Sequence, residues 1–152
     1  MDNFIFSGSV NNVTDKRYID YYNFLKDTMG FKLNESFFIA LVLGYSNSRK
    51  TEDFISGGIE FRPSYFNGDQ QNIIYAIAYD IYGEDLFKRW PDKEFQNLFR
   101  LELNKYANGG MEILKESYFK DKELNGKLNI AYTGYDLDLL RFIYDQINSV
   151  PF

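Results

Sequence analysis

The stretch NESFFIALVLGYSNSRK, residues 34–50, constrains everything around it. Phe37, Phe38, Ile39, Leu41, Val42 and Leu43 leave a helix over this stretch with no polar face. A helix that is apolar all round is stable only when other elements surround it. The run is far shorter than the ~20 residues of a membrane span, and polar NES and SNSRK flank it closely. It therefore reads as a buried core helix over about 35–45. Asn34 is expected to cap it, with Glu35 in the first turn near the positive end of the helix dipole. Gly44 is either a C-cap or a point where another backbone comes close, and the tail ending in Arg49 and Lys50 returns the chain to the surface.

Amphipathic segments lie on both sides of this helix. Tyr18, Tyr21, Tyr22, Leu25 and Met29 follow helical spacing after Thr14 or Asp15 as N-cap, and Gly30 is placed to end that helix. Asp69 is the expected cap of a helix carrying Ile74, Ile77, Ala78 and Ile81 up to Gly83, with a short turn around Leu86 and Phe87 leading to Trp90. Asp92 opens a helix with Phe95, Leu98, Phe99, Leu103, Tyr106 and Ala107 on one face. Asn108-Gly109-Gly110 then interrupts it, as a kink or as a break between two helices. Asp136 caps a last helix with Leu140, Ile143, Tyr144 and Ile147 as its buried stripe. Alternating Ile59 and Phe61 among glycines, and Leu128, Ile130 and Tyr132, mark two extended segments that could pair. The expected architecture is a single domain over 1–152, α+β and mainly α. Five or six helices surround the central apolar helix, and a two-stranded β element joins about 59–62 to 127–133.

Composition narrows the function classes. There is no cysteine, so neither a disulfide framework nor a thiolate metal site is available. There is no histidine, which removes the commonest general base and the usual zinc ligand. Met1 is followed by DNFIFSGSVNN, which has neither a basic start nor a long apolar stretch, so the expected location is cytoplasmic with no membrane association. The net charge of −5 disfavours a nucleic-acid backbone unless cations cluster on one face. Aromatic residues make up 19 % of the chain, with 13 tyrosines and 15 phenylalanines, more than a core of this size encloses. Some rings are therefore expected at the surface, where aromatics are enriched in protein interfaces.

No motif for chemistry stands out. Gly57-Gly58 and Gly109-Gly110 lack the spacing of a phosphate-binding loop. Glu84/Asp85 and Asp136/Asp138 are local neighbours that caps and surface charge explain, and Asp92 with Glu102 and Lys105 does not have the spacing of a nuclease metal site. No catalytic residue, cofactor or metal ligand is expected. Lys16, Arg17, Arg49, Lys50, Lys88 and Arg89 would form a basic patch if folding gathered them.

Two segments carry a resemblance. FFIALVLGYSNSRK supplies Ala40, Leu43, Gly44, Tyr45, Arg49 and Lys50, and KYANGGMEILKE supplies Tyr106, Ala107, Gly109 and Gly110. Together, over roughly 37–116, they resemble a family of small proteins encoded beside bacterial DNA-phosphorothioation (Dnd) and related phage-defence genes. The resemblance implies a non-catalytic accessory or bridging subunit of a multi-component defence complex. Its implied partner is a larger subunit such as an ATPase or nuclease, with indirect association with DNA. No catalytic residue carries over. The residues expected to touch a partner are Tyr45, Arg49, Lys50, Lys88, Arg89 and Trp90, and a homo-oligomer is a further possibility. The alternatives are a module contacting DNA phosphates through the basic residues, and a metal-dependent nuclease with an unfamiliar carboxylate site.

Overall fold

The computed structural model describes residues 11–124, 127–128 and 134–149. In chain order it contains β1 (Asn12–Asp15), a 3-10 turn (Lys16–Tyr18), α1 (Ile19–Asp27), α2 (Leu33–Ser46) and β2 (Ser56–Phe61). There follow a 3-10 turn (Pro63–Tyr65), α3 (Gly68–Tyr82), α4 (Asp85–Arg89) and α5 (Lys93–Ile113). A π-helical segment (Leu114–Phe119), a 3-10 turn (Lys120–Lys122), β3 (Glu123–Leu124), β4 (Lys127–Leu128) and α6 (Tyr135–Ser149) complete the described chain. The class is α+β, mainly α. No helix of the described residues is long and apolar enough to cross a membrane.

The apolar helix occupies the middle, as its composition requires. Ala40 and Leu41 are completely buried, and no residue from Leu33 to Tyr45 is exposed. It packs chiefly along α5, and the closeness of that packing explains the glycines. A Cβ at Gly44 would lie 1.9 Å from the Tyr106 carbonyl oxygen, and one at Gly110 would lie 1.7 Å from that of Ala40. Asn108-Gly109-Gly110 is not a break between two helices: α5 runs continuously through it. Two glycines in a helix cost about 2 kcal/mol in propensity, and the backbone-to-backbone packing they permit offsets that cost. Gly44 likewise lies inside α2, whose C-cap is Asn47.

Beyond α5 the π-helical segment adds a residue to the turn and rotates the buried face. Leu114, Tyr118 and Phe119 all reach the core there. Tyr118 then meets Phe142 of α6, with ring centroids 6.0 Å apart. This contact selects the buried face of α6: Leu139 is buried and Phe142 and Ile143 are partly buried, whereas Leu140 and Tyr144 are each 65 % exposed. The expected stripe is therefore rotated by one residue, and the Ile147 side chain lies outside the described residues. Leu98, expected on the buried face of α5, is also exposed, because Phe95 and Phe99 already fill that face.

Several helix starts shift. Asp15 closes a strand and caps the 3-10 turn, accepting from the Arg17 N–H, whereas α1 itself starts at Ile19 with Tyr18 at its N-cap position. Asn34 lies within α2 and donates to the Tyr65 carbonyl, so the N-cap position falls to Lys32. Asn67 rather than Asp69 caps α3, in a reciprocal pair with Gln70. Asp92 caps α5 as expected. α6 begins one residue before Asp136.

The strand pairing differs from expectation. β2 pairs antiparallel with β1, through Asn12 opposite Phe61 and Val13 opposite Glu60, and β4 pairs with β3. Residues 129–133 of the expected second strand lie outside the described residues. β1, with the sequence Asn-Val-Thr-Asp, carries no apolar alternation because its buried side chains are polar: Asn12 and Asp15 bond to α5, and Thr14 donates to the Ile59 carbonyl of β2.

Candidate functional site

Three clusters hold the side chains that could do work, and the first is internal. The Asp15 carboxylate, fully buried, accepts the Arg17 backbone N–H (2.9 Å) and Nε (3.0 Å) at one oxygen. Its other oxygen accepts Arg17 Nη2 (2.7 Å), the Ile55 N–H (2.9 Å) and Asn108 Nδ2 (2.9 Å). Burial by itself pushes this carboxyl up, but the bonds from Arg17 and the Ile55 amide outweigh it and hold its pKa below the usual carboxylate value. Arg17 continues to Asp53. Asn12 and Asn104 exchange hydrogen bonds of 3.1 Å nearby. The cluster ties β1, the loop before β2 and α5 together, with the Asp15 carboxylate closed off from solvent.

The second cluster answers what the basic tail after α2 does. Arg49 reaches back to α5 and the π-helical segment, pairing with Glu112 at 3.0 Å and Glu116 at 2.7 Å. Lys50 pairs with Glu102 at 3.1 Å, and Thr51 donates to Glu112. Gly109 makes room for this loop, since a Cβ there would lie 2.0 Å from the Arg49 carbonyl oxygen. Tyr45 donates to Asp80 and packs its ring 5.3 Å from Tyr106. The carboxylates raise the Arg49 and Lys50 pKa values, chiefly by hydrogen bonding.

The third cluster is open to solvent. α3 and α4 diverge from Gly83, whose φ of +61° breaks α3 sharply. Between them lies a groove of about 670 Å³ lined by Tyr75, Ala76, Tyr79, Leu86, Phe87, Trp90 and Pro91. Leu86 is buried, so its neighbour Phe87 must turn outward, and it is 67 % exposed. The rings form two tilted pairs, Tyr75 with Trp90 at 5.1 Å and Tyr79 with Phe87 at 6.0 Å. Tyr79 donates to Glu84 at 2.9 Å, and that carboxylate raises the phenol's pKa.

The expected contact residues thus divide. Tyr45, Arg49 and Lys50 are turned onto the protein's own α5 and α3, while Lys88, Arg89 and Trp90 sit on or beside α4. Arg89 lies over the Phe95 ring at 4.5 Å, Lys88 makes no ion pair among the described residues, and Trp90 enters the groove. Tyr75 and Tyr79 escape notice in the sequence, and Phe87 is read there only as part of a turn. Their signal is an aromatic pair at i, i+4 beside the core stripe of α3, followed by adjacent Leu86 and Phe87, of which a single short turn can bury only one. Among the described residues no three acidic groups are placed to hold a metal ion. Glu102 and Lys105 belong to the ion-pair cluster.

Comparison with known proteins finds no matching family model, curated protein or solved structure. The site's own geometry therefore carries the functional argument for this mainly helical α+β protein.

Proposed function

We propose that this chain is a non-catalytic accessory subunit that docks a larger protein through the aromatic groove between α3 and α4. The observation that carries the proposal is Phe87, a large ring 67 % exposed beside the half-buried Trp90. Contiguous exposed rings of this kind mark interaction sites, and aromatic anchors supply most of the binding energy where they occur. The 46–53 loop is a poorer docking surface than its sequence implies, because Arg49 and Lys50 already have carboxylate partners. Direct DNA contact gains little for the same reason, since Arg17 is also paired with Asp15 and Asp53.

Assembly with a phage-defence ATPase or nuclease is the partner class implied by the resemblance of residues 37–116. Ala40, Gly44, Tyr106, Gly109 and Gly110 of that resemblance are used at the packing of α5 against α2 and its following loop, so they speak to architecture, and the groove supplies the contact. The test is capture of purified products of the neighbouring genes by the immobilised chain. Binding that Phe87→Ser abolishes supports the proposal, and a folded chain that binds none of them, or binds equally well as Phe87→Ser, overturns it.

A further inference from the structure

The groove has a donor and acceptor pattern as well as a shape. Its lining is mostly apolar rings, broken by the Tyr75 and Tyr79 hydroxyls and by the Trp90 indole N–H, which makes no hydrogen bond among the described residues. Tyr79 already donates to Glu84. An occupant must therefore stack on rings and offer an acceptor without bringing N–H groups that would lose their water partners. Proline-rich chain in the polyproline II conformation meets all of these requirements. Its rings pack on aromatic faces, its residues lack N–H groups, and its carbonyls point outward, unpaired within the helix.

Size and charge agree. A stable interface between folded domains uses about 20–30 residues on each side, whereas the groove is lined by seven, enough to accept a short extended segment. Glu84 and Asp85 stand at the amino end of α4, and Lys88 stands near its other end. Glu84 uses one oxygen for Tyr79, and its other oxygen has no partner among the described residues. A cationic flank therefore belongs at the Glu84 end.

We infer that the groove formed by Tyr75, Tyr79, Phe87 and Trp90 binds a proline-rich segment of a partner protein, with an arginine or lysine of that segment beside Glu84. This inference rests on the docking role proposed above and names the chemistry of the occupant. Trp90 is the single tryptophan of the chain, so its emission reports the groove directly. The probe is a blocked oligoproline bearing one terminal arginine, compared with a peptide of the same length and charge in which alanine replaces proline.

The expected result is a saturable blue shift of Trp90 emission with the oligoproline alone. Phe87→Ala, at an exposed position with unchanged circular dichroism, should weaken it by about tenfold, equivalent to one well-packed ring contact. Glu84→Gln should weaken the arginine-bearing peptide by about threefold and leave the uncharged oligoproline unaffected. Equal shifts with both peptides, or no shift with either, overturn the inference. Capture of purified neighbours by the same Phe87→Ala preparation separates the two levels. If capture depends on Phe87 while oligoproline fails, the docking role stands and the occupant is wrong. If capture ignores Phe87, the docking role falls whatever the peptide does.

Discussion

Asp15 shows what one residue can hold. Its polar type and position announce a cap, and it does accept the Arg17 N–H. The amide of Ile55 and the side chain of Asn108, distant in sequence, also converge on it, and nothing local announces those partners. Asp15→Asn keeps the shape but removes the charge and turns an amide toward donors, leaving Arg17 without its closest partner. A cost of about 3 kcal/mol is expected, as for breaking a buried ion pair, measured by urea unfolding at neutral pH. The pH dependence has a definite sign. The folded-state pKa lies below the unfolded value, so Asp15 contributes its stability above about pH 4 and loses it as pH falls through the folded pKa. The gap between wild type and Asp15→Asn should therefore shrink in acid. A gap that is constant from pH 7 to pH 3 would mean that the carboxylate is not the group at work.

Among elements, the pair α2 and α5 is where local propensity and tertiary contact disagree most. Glycine is the worst helix former after proline, so Asn108-Gly109-Gly110 announces an interruption, and Gly44 either an end or a close backbone approach, of which the structure takes the second. Both lie inside helices because each glycine faces another main chain at less than a side chain's distance. Gly110→Ala should gain about 1 kcal/mol on propensity alone, yet its Cβ would lie 1.7 Å from the Ala40 carbonyl oxygen. Steric overlap with backbone wins, and a net loss of about 1–3 kcal/mol is expected. Gly68→Ala, at the exposed first residue of α3 with nothing within 4 Å of the added carbon, should be neutral or stabilising by up to about 1 kcal/mol. Thermal unfolding of the two variants checks this, and equal effects would mean that α2 and α5 do not pack so closely. α6 teaches the same lesson from the other side. Its apolar residues could bury either of two faces, and the Tyr118 ring selects Leu139 and Phe142 over Leu140 and Tyr144.

For the whole molecule, the question is which surface remains for a partner once the chain has satisfied itself. Arg49, Lys50 and Lys105 interlock with Glu52, Glu102, Glu112 and Glu116 and pin the loop after α2 onto α5. Such exposed and partly exposed pairs each contribute little to stability and weaken with salt. Arg49→Ala should therefore lower stability modestly, with the difference narrowing in high salt, and should leave partner capture intact. Phe87→Ser should do the reverse, leaving stability within about 0.5 kcal/mol while abolishing capture. If Arg49→Ala removed capture and Phe87→Ser did not, the docking surface would be the loop.

Local chemistry was enough to find the five long helices to within a few residues, to put the segment from Phe37 to Leu43 at the centre, to find Asp92 and Gly83 at helix boundaries and to set the mainly helical class, because helical periodicity and capping are properties of neighbouring residues. The pairing of β1 with β2, the exposed face of α6, the inward turn of Arg49 and Lys50 and the groove around Phe87 arose only when distant segments met. Each of these depends on which of several locally equivalent faces finds a partner of the right shape or charge, and that choice is a property of the assembled fold.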